Sequence, residues 1–389
     1  MREPTVFVAK GINRHNIRLQ PWRYIFELAM YQTRRLKRSV VIVTDGPSDF
    51  ELEEWEEGLT IVKTRCLGAF RQQAFRALMV RLNPTQVIWS VTPRSLIYFP
   101  LLRSLRCPSI VLVTCPIYSL RQLYMALRCG VPYAELASLL KQSLVPIRLF
   151  ASFLNFGPFE RVFVQSESNL RLLMDAGVSA DKLRVVRVGL GPEDLLQRAP
   201  PVRSGKVVTF LYFGGTKRIR GFDQLLHAFS MALRGGLKAR LRVLARGADA
   251  QEGVRIQRAL LRLGIQQNVD VRGGWLSRLD IAAEIDQSDA VVLPFILVPS
   301  DVPIAILEAL GRGKLVIGTD IDGIPELIRD RGVVVDPFST ESLCAALCTV
   351  AQSGELRASL GANALEFMRT YPTWEQVGVG AFGELGARQ

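Results

Sequence analysis

The stretch that decides the fold is PSDVPIAILEALGRGKLVIGTDIDGIPELI, residues 299–328. It follows the apolar run AVVLPF, residues 290–295. Read in order, these residues give a buried strand, a helix opened by Ser300, Asp301 and Pro303, a second strand and a glycine turn. Apolar strands separated by helices mean a parallel sheet covered on both faces, whose ligands bind at the carboxyl ends of the strands. Ser300 or Asp301 is a candidate helix cap, and Pro303 suits the first turn. Free backbone N–H groups and the positive end of the helix dipole can receive a phosphate there. At about 1.5 Å per residue, Glu308 lies roughly 7–8 Å further along the axis than Pro303. That is about one sugar unit from a diphosphate, where a carboxylate can accept hydrogen bonds from a ribose diol. Taken alone, the segment also reads as a plain helix with one surface acid.

The same alternation extends in both directions. Strands are expected at TVFVAK, VVIVTDG, LTIVKTR, QVIWSV, SIVLVTC, RVFVQS and LRVVRVG in the first half. In the second half they are expected at VVTFLYFGG, LRVLARG, VDVRGG, AVVLPF, LVIGTD and GVVVD. Between the halves, LGPEDLLQRAPPVRSG is polar and proline-containing, the composition of a linker. The 389 residues divide comfortably into two domains. The expected fold class is α/β, with two doubly wound Rossmann-like domains facing a cleft. The expected bounds are 1–198 and 199–369, with a last helix, about 370–389, packing back on the first domain.

Hydrophobic residues make up 49% of the chain, which excludes a disordered protein. The formal charge is +13, and it is uneven. Residues 1–198 carry 27 basic and 16 acidic side chains; the remainder carry 22 and 20. Within residues 58–159 there are 12 basic side chains and one acid, Glu135. A basic half beside a neutral one points to an anionic surface or partner. The N-terminal MREPTVFVAKG reads as a first strand rather than a leader, and no run of about 18 apolar residues reads as a spanning helix. The scattered cysteines read as small buried hydrophobes in a reducing cytoplasm rather than as metal ligands or disulfides.

A second feature lies in FLYFGGTKRIRGFDQLLHAF, residues 210–229. Gly214 and Gly215 permit close backbone approach after a strand. Lys217, Arg218 and Arg220 can neutralise a leaving diphosphate without a metal. A solvated basic turn is the alternative for this loop alone.

The order of these motifs resembles that of the retaining nucleotide-sugar glycosyltransferases of family 4, which have the GT-B fold. The resemblance covers nearly the whole chain. KGINRHNIRLQPWRYIFELA stands as the N-terminal glycine loop, and VFVQSESNLRLLMDAGVSADKLRVVRVGLG as the segment "S…L…G…K…V…NG". FGGTKRIRGFDQLL stands for "GR…KG…LL", and residues 299–328 for "PS.EGFP...LEA.A.G.PV..TD.GG.PE.I". YPTWEQVGVGAFGEL looks like the C-terminal helix that crosses back to the first domain. The resemblance implies that Arg220 stands for the diphosphate-binding lysine and Glu308 for the ribose-binding second acid of the E-x7-E motif. It implies that the backbone of Val302, Pro303 and Ile304 faces the donor sugar and phosphate, and that Gly11 approaches from the other domain. Four positions depart from the pattern. Ser300 replaces the first acid, with Asp301 adjacent. Gly215 replaces the clamp arginine, for which Lys217 or Arg218 can compensate. Val188 replaces the asparagine before Gly189. The strand end that often supplies a donor-touching histidine reads VTCP, with Thr114 and Cys115. Of the two histidines, His227 reads as structural, while His15, after the glycine loop, reads as either cleft-facing or surface.

Residues 135–159, ELASLLKQSLVPIRLFASFLNFGPF, interleave apolar side chains with Lys141 and Arg148 and are broken at Pro146; SLIYFPLLRSLRC, residues 95–107, lies upstream. Two readings stand. One is an element in a membrane interface, with Phe150, Phe153 or Leu154 inserted. The other is a core helix with cations on its outer face.

The expected function is transfer of a sugar, with retention, from a nucleotide-diphosphate donor to a lipid-linked, glycolipid or polysaccharide acceptor in cell-envelope glycan synthesis. Arg220, Lys217 and Glu308 are the expected catalytic residues. Gly11, Gly214, Gly215, Arg218, Ser300, Asp301, Val302, Pro303, Ile304 and Glu308 are the expected donor contacts. No cofactor and no metal is expected. The expected location is cytoplasmic, peripheral on an anionic membrane. Three alternatives remain: another enzyme on the same fold, such as a phosphorylase or epimerase; a degenerate member that binds without turnover; and a nucleic-acid binder, for which no motif is present.

Overall fold

A computed structural model describes residues 3–67, 71–98, 107–191, 207–298 and 300–386, without the side chains of 72 and 384–386. Most of the expected linker, and residues 99–106 of the upstream apolar run, lie outside the described residues.

Two sheets form the molecule. The first contains β1 (Thr5–Val8), β2 (Val40–Asp45), β3 (Glu51–Glu56), β4 (Leu59–Thr64), β5 (Gln86–Val91), β6 (Ser109–Val113), β7 (Phe159–Val164) and β8 (Leu183–Val185), in the order β3-β4-β2-β1-β5-β6-β7-β8. The second contains β9 (Val208–Gly214), β10 (Ala239–Arg246), β11 (Val269–Gly274), β12 (Ala290–Leu293), β13 (Val316–Thr319) and β14 (Gly332–Val335), in the order β11-β10-β9-β12-β13-β14. All pairings in the second sheet are parallel. In the first sheet β3 alone of the described strands pairs antiparallel. Each sheet starts in its middle and grows both ways. The direction of winding therefore reverses between β1 and β5, and again between β9 and β12, which opens a crevice at the carboxyl ends of each pair.

Every expected strand is present, and β3 is an addition. Its sequence, ELEEWE, is too acidic to read as a buried strand. It sits at the sheet edge, where one face is solvated. Lys63 on β4 holds it by pairing with Glu51 at 3.1 Å and Glu53 at 3.0 Å.

The basic segment forms two helices, Tyr133–Ser143 and Ile147–Phe156, separated at Pro146. Membrane insertion of Phe150, Phe153 and Leu154 is overturned. All three are buried in the core of the first domain, with Phe153 edge-on to Phe159 at 5.3 Å. The 3.6-residue period turns them inward together and leaves Arg148, Leu149 (52% exposed) and Phe156 (80% exposed) outside. No helix among the described residues is long and apolar enough to cross a membrane.

The last described helix, Trp374–Gly386, lies on the first domain. Phe382 stacks on Tyr31 at 6.3 Å. Gly378 lets the two helices touch, since a Cβ there would lie 2.2 Å from the Tyr31 ring. One apolar cluster runs from Phe7 and Leu28 in the first domain to Leu293 and Ile306 in the second, so the two sheets share a core.

Candidate functional site

The crevice between β9 and β12 is built from two loops. After β9 the chain passes through Gly214 and Gly215 into a 3-10 turn, Arg218–Arg220, and then the helix Phe222–Arg234. Gly221 makes this possible. Its φ is +72°, and a Cβ would fall 1.7 Å from the carbonyl oxygen of Pro294. The turn is tied to the loop after β12 by the N–H groups of Ile296 and Leu297, both donating to the Ile219 carbonyl at 3.1 Å. Glycine at 221 thus fixes where the cations stand relative to the helix that follows β12.

Arg220 is half-buried. Its guanidinium lies 5.5 Å from the centroid of the Phe295 ring and pairs with no described carboxylate. Lys217 is exposed and equally unpaired among the described residues. Arg218 differs. It pairs with Asp223 at 2.9 Å and donates to the Gly130 carbonyl of the first domain at 3.0 Å. Two of the three expected cations are therefore free to meet an anion.

The helix after β12 spans Ile304–Gly311 with Pro303 as its N-cap residue. The expected capping by Ser300 or Asp301 does not occur: no side chain caps this helix. Ser300 Oγ is buried without a hydrogen-bond partner. Asp301 points away from the helix, and its Oδ2 accepts from Ser166 Oγ of the first domain at 2.7 Å. Val302 is buried, Pro303 and Ile304 are half-buried at the helix start, and Glu308 is half-buried one turn in. The first-turn N–H groups face the same crevice edge as Arg220, because β9 and β12 are neighbours.

The first domain closes over this edge. The Tyr118 hydroxyl donates its one proton to Asp322 Oδ2 at 2.5 Å, with the Val298 carbonyl 2.8 Å away as the alternative acceptor, and accepts from the Val298 N–H at 2.7 Å. Glu326 accepts from the Glu167 N–H at 3.1 Å. Glu135, the one acid in its basic stretch, accepts from the Ile219 N–H at 3.0 Å. Cys115 is half-buried nearby, and burial followed by Asp301 and Asp322 pushes its thiol up to about 12. Thr114 is buried and hydrogen-bonded to Ser90.

The cleft acids are displaced from their ordinary range. Burial is the largest cause for Asp301, which is pushed up to about 6 despite the Ser166 hydrogen bond. Burial, and then the nearby Asp301, push Asp322 well up. Burial also raises Glu326, against the opposing pull of Arg187.

Gly11 has φ +73° and donates its N–H to Asp45 Oδ1 at 2.5 Å, within its own domain. His15 is exposed, and His227, also exposed, bonds through Nδ1 to the Asp223 carbonyl at 2.8 Å. The six cysteines are free thiols, and no three His, Cys, Asp or Glu side chains among the described residues are grouped to hold a metal. Sequence reasoning missed Tyr118, Ser166, Glu135, Asp322 and Asn169, whose side chain hydrogen-bonds Asp301. Asp322 had a signal. It stands at the first glycine of "TD.GG.PE", and its φ of +48° is a conformation that Asp tolerates better than most residues.

Residues 207–353 match the family model "Glycosyl transferases group 1". Alpha-D-kanosaminyltransferase of Streptomyces kanamyceticus is 25% identical over 156 residues, 40% of this chain and 39% of that one. The match thus spans about two fifths of the curated relative's length. Sucrose-phosphate synthase from Thermosynechococcus elongatus superposes with a TM-score of 0.71 at 16% identity, covering 100% of this chain and 99% of that one. HepE of Anabaena, solved with UDP, superposes with a TM-score of 0.67 at 13% identity, covering 98% and 100%. The fold is GT-B.

Proposed function

We propose, for a GT-B chain that carries a group 1 glycosyl transferase domain, that it moves a sugar from a nucleotide-diphosphate donor to an acceptor held by the first domain. One observation carries this reading. The unpaired Lys217 and Arg220 and the start of the helix Ile304–Gly311 flank one crevice, the winding-reversal point of the second sheet. The diphosphate lies against these groups, and Glu308 takes the ribose hydroxyls. Negative charge grows on the leaving phosphate as the sugar departs, so cations and N–H groups fixed in advance lower the barrier. The reaction needs no metal and retains the anomeric configuration. The complex of HepE with UDP favours a uridine donor as the first to try.

The acceptor belongs to a cell-envelope glycan, carried by a lipid or by an anionic polysaccharide. Exposed Leu149 and Phe156 on the helix that also exposes Arg148, with exposed Lys141 on the helix before it, support peripheral attachment to an anionic membrane on its cytoplasmic face. A second reading is binding without turnover. It is favoured by Ser300 and Gly215 at two family positions and by Glu135 on the Ile219 N–H.

The test is a thermal-shift screen of UDP-, GDP-, ADP- and dTDP-sugars with EDTA present. A donor at 100 times its dissociation constant stabilises the fold by about 2.7 kcal/mol. Stabilisation by one nucleotide family, followed by released nucleoside diphosphate with acceptor, supports transfer. Stabilisation without release favours the second reading, and no shift from any of them overturns both.

A further inference from the structure

The second domain carries a cavity of about 390 Å³ walled by the helix Phe222–Arg234 and the helix Ala250–Leu263. Four arginines, Arg218, Arg255, Arg258 and Arg262, line it against a single carboxylate, Asp223. That excess is local, since residues 199–389 as a whole carry 22 basic and 20 acidic side chains. Two of the four arginines are already engaged. Arg255 pairs with Asp223 and with Glu252, each at 2.8 Å, and donates to the Thr216 carbonyl at 2.8 Å. Arg218 takes the other Asp223 oxygen at 2.9 Å and the Gly130 carbonyl at 3.0 Å. Asp223 is therefore spent within the wall, with a guanidinium on each oxygen. Arg258 and Arg262 have no partner among the described residues. They stand four positions apart on one face of their helix, where like charges oppose each other.

We propose that this cavity binds a phosphorylated sugar, with Arg258 and Arg262 on the phosphate. Neither Lys217, Arg220 nor the helix Ile304–Gly311 lines it, so the proposal goes beyond the donor reading and does not depend on it. A phosphate removes the opposition between the two guanidinium groups and accepts paired N–H donors from each. His227 supplies a third contact. Its Nδ1 lies 2.8 Å from the Asp223 carbonyl. A carbonyl only accepts, so Nδ1 carries the proton and Nε2 is the ring nitrogen left for a ligand.

The walls decide what carries the phosphate. A volume of about 390 Å³ falls within the range of small-molecule sites, about 300–1,000 Å³, and leaves room beyond a bare phosphate. Leu226, Val254 and Leu263 give apolar wall, and Gln251 gives an amide that both donates and accepts. That mixture suits the ring and the hydroxyls of a sugar. No Phe, Tyr or Trp lines the cavity, so a nucleobase finds no ring to stack on. A free nucleotide is therefore the poorer match.

Isothermal titration with glucose 6-phosphate, glucose 1-phosphate, inorganic phosphate and glucose, at one ionic strength and without nucleotide, tests this. The better of the two esters is expected to bind about tenfold or more tightly than inorganic phosphate, and glucose more weakly still. Arg258→Gln combined with Arg262→Gln weakens the ester by about a hundredfold, roughly tenfold for each charge-assisted bond lost. Arg76→Gln, which removes one exposed charge of the first domain, leaves its binding unchanged. Arg258 and Arg262 are exposed, so the double variant is expected to fold. Val254→Glu, which sets a carboxylate in the wall, is a second route to the same loss. Parental affinity for the ester in either folded variant overturns the proposal. So does an equal loss in Arg76→Gln, which makes the effect one of net charge. Inorganic phosphate binding as tightly as both esters overturns the sugar, and no binding of any phosphate at millimolar concentration overturns the site.

Discussion

Asp301→Asn makes the folded protein more stable at neutral and mildly alkaline pH. The Asp301 carboxyl is raised by burial from its ordinary 3.8 to about 6 in the fold, so folding favours its protonated form. Below about pH 4 both folded and unfolded chains hold the proton, and no penalty exists. As pH rises, the unfolded chain ionises first and the fold loses stability. Above about pH 6 the penalty is complete, at about 3 kcal/mol for a shift of this size. About half of it is present by pH 5, which leaves roughly 1.4 kcal/mol to appear between pH 5 and pH 8. Asparagine cannot ionise, and its oxygen still accepts from Ser166. Its stability therefore lacks this decline. Removing the charge also relieves Asp322, which adds to the gain in the same direction. At roughly 2–4 °C per kcal/mol for domains of this size, the gap in Tm between Asp301→Asn and the parent widens by about 3–6 °C from pH 5 to pH 8. Differential scanning calorimetry of both proteins at matched ionic strength reads this gap; groups that Asp301 does not influence cancel in the difference, and Asp322 moves it in the same direction. A gap that stays constant or narrows as pH rises refutes the claim that burial outweighs the hydrogen bonds on Asp301 and raises its carboxyl in the fold.

Arg220→Ala lowers kcat more than it raises the KM for donor, by roughly tenfold to a hundredfold, because its charge acts most on the departing phosphate; steady-state kinetics with EDTA present check this, and parental kcat makes Arg220 a surface residue. Gly221→Ala destabilises the second domain by well over about 1 kcal/mol, since the new Cβ meets the Pro294 carbonyl at a left-handed φ; denaturant unfolding measures it, and parental stability shows that the turn does not lean on residue 294. Co-sedimentation with anionic vesicles falls at high salt and in Lys141→Glu with Arg148→Glu, while Phe156→Ser removes the salt-resistant part; equal binding to neutral vesicles, or none to either, argues for a soluble polyanionic acceptor.

The parallel strands were legible because burial on both faces demands continuous apolar runs, such as VVIVTD and AVVL. Strand β3 was not, because an antiparallel edge strand needs only a partner and a cation such as Lys63. The glycine turn and Glu308 were legible from spacing along one element. Tyr118, Ser166 and Glu135 were not, because each acts across the cleft on a residue 84 to 204 positions away. Phe150, Phe153 and Leu154 misled for a related reason. Apolar residues at helical spacing look alike whether they face lipid or a sheet, and only the packing of Ile147–Phe156 on β7 decides. Asp301 was legible as a residue near the site, but its direction depended on Ser166.

The claim that carries the most weight is that the crevice between β9 and β12 holds a nucleoside diphosphate with Glu308 on its ribose. Isothermal titration of UDP into the parent and into Glu308→Ala, both shown folded by circular dichroism, addresses it without any acceptor or turnover. Binding in the parent, weakened in Glu308→Ala by roughly 1–3 kcal/mol as a ribose hydroxyl loses its partner, is the expected result. Equal affinity in the two proteins would contradict it.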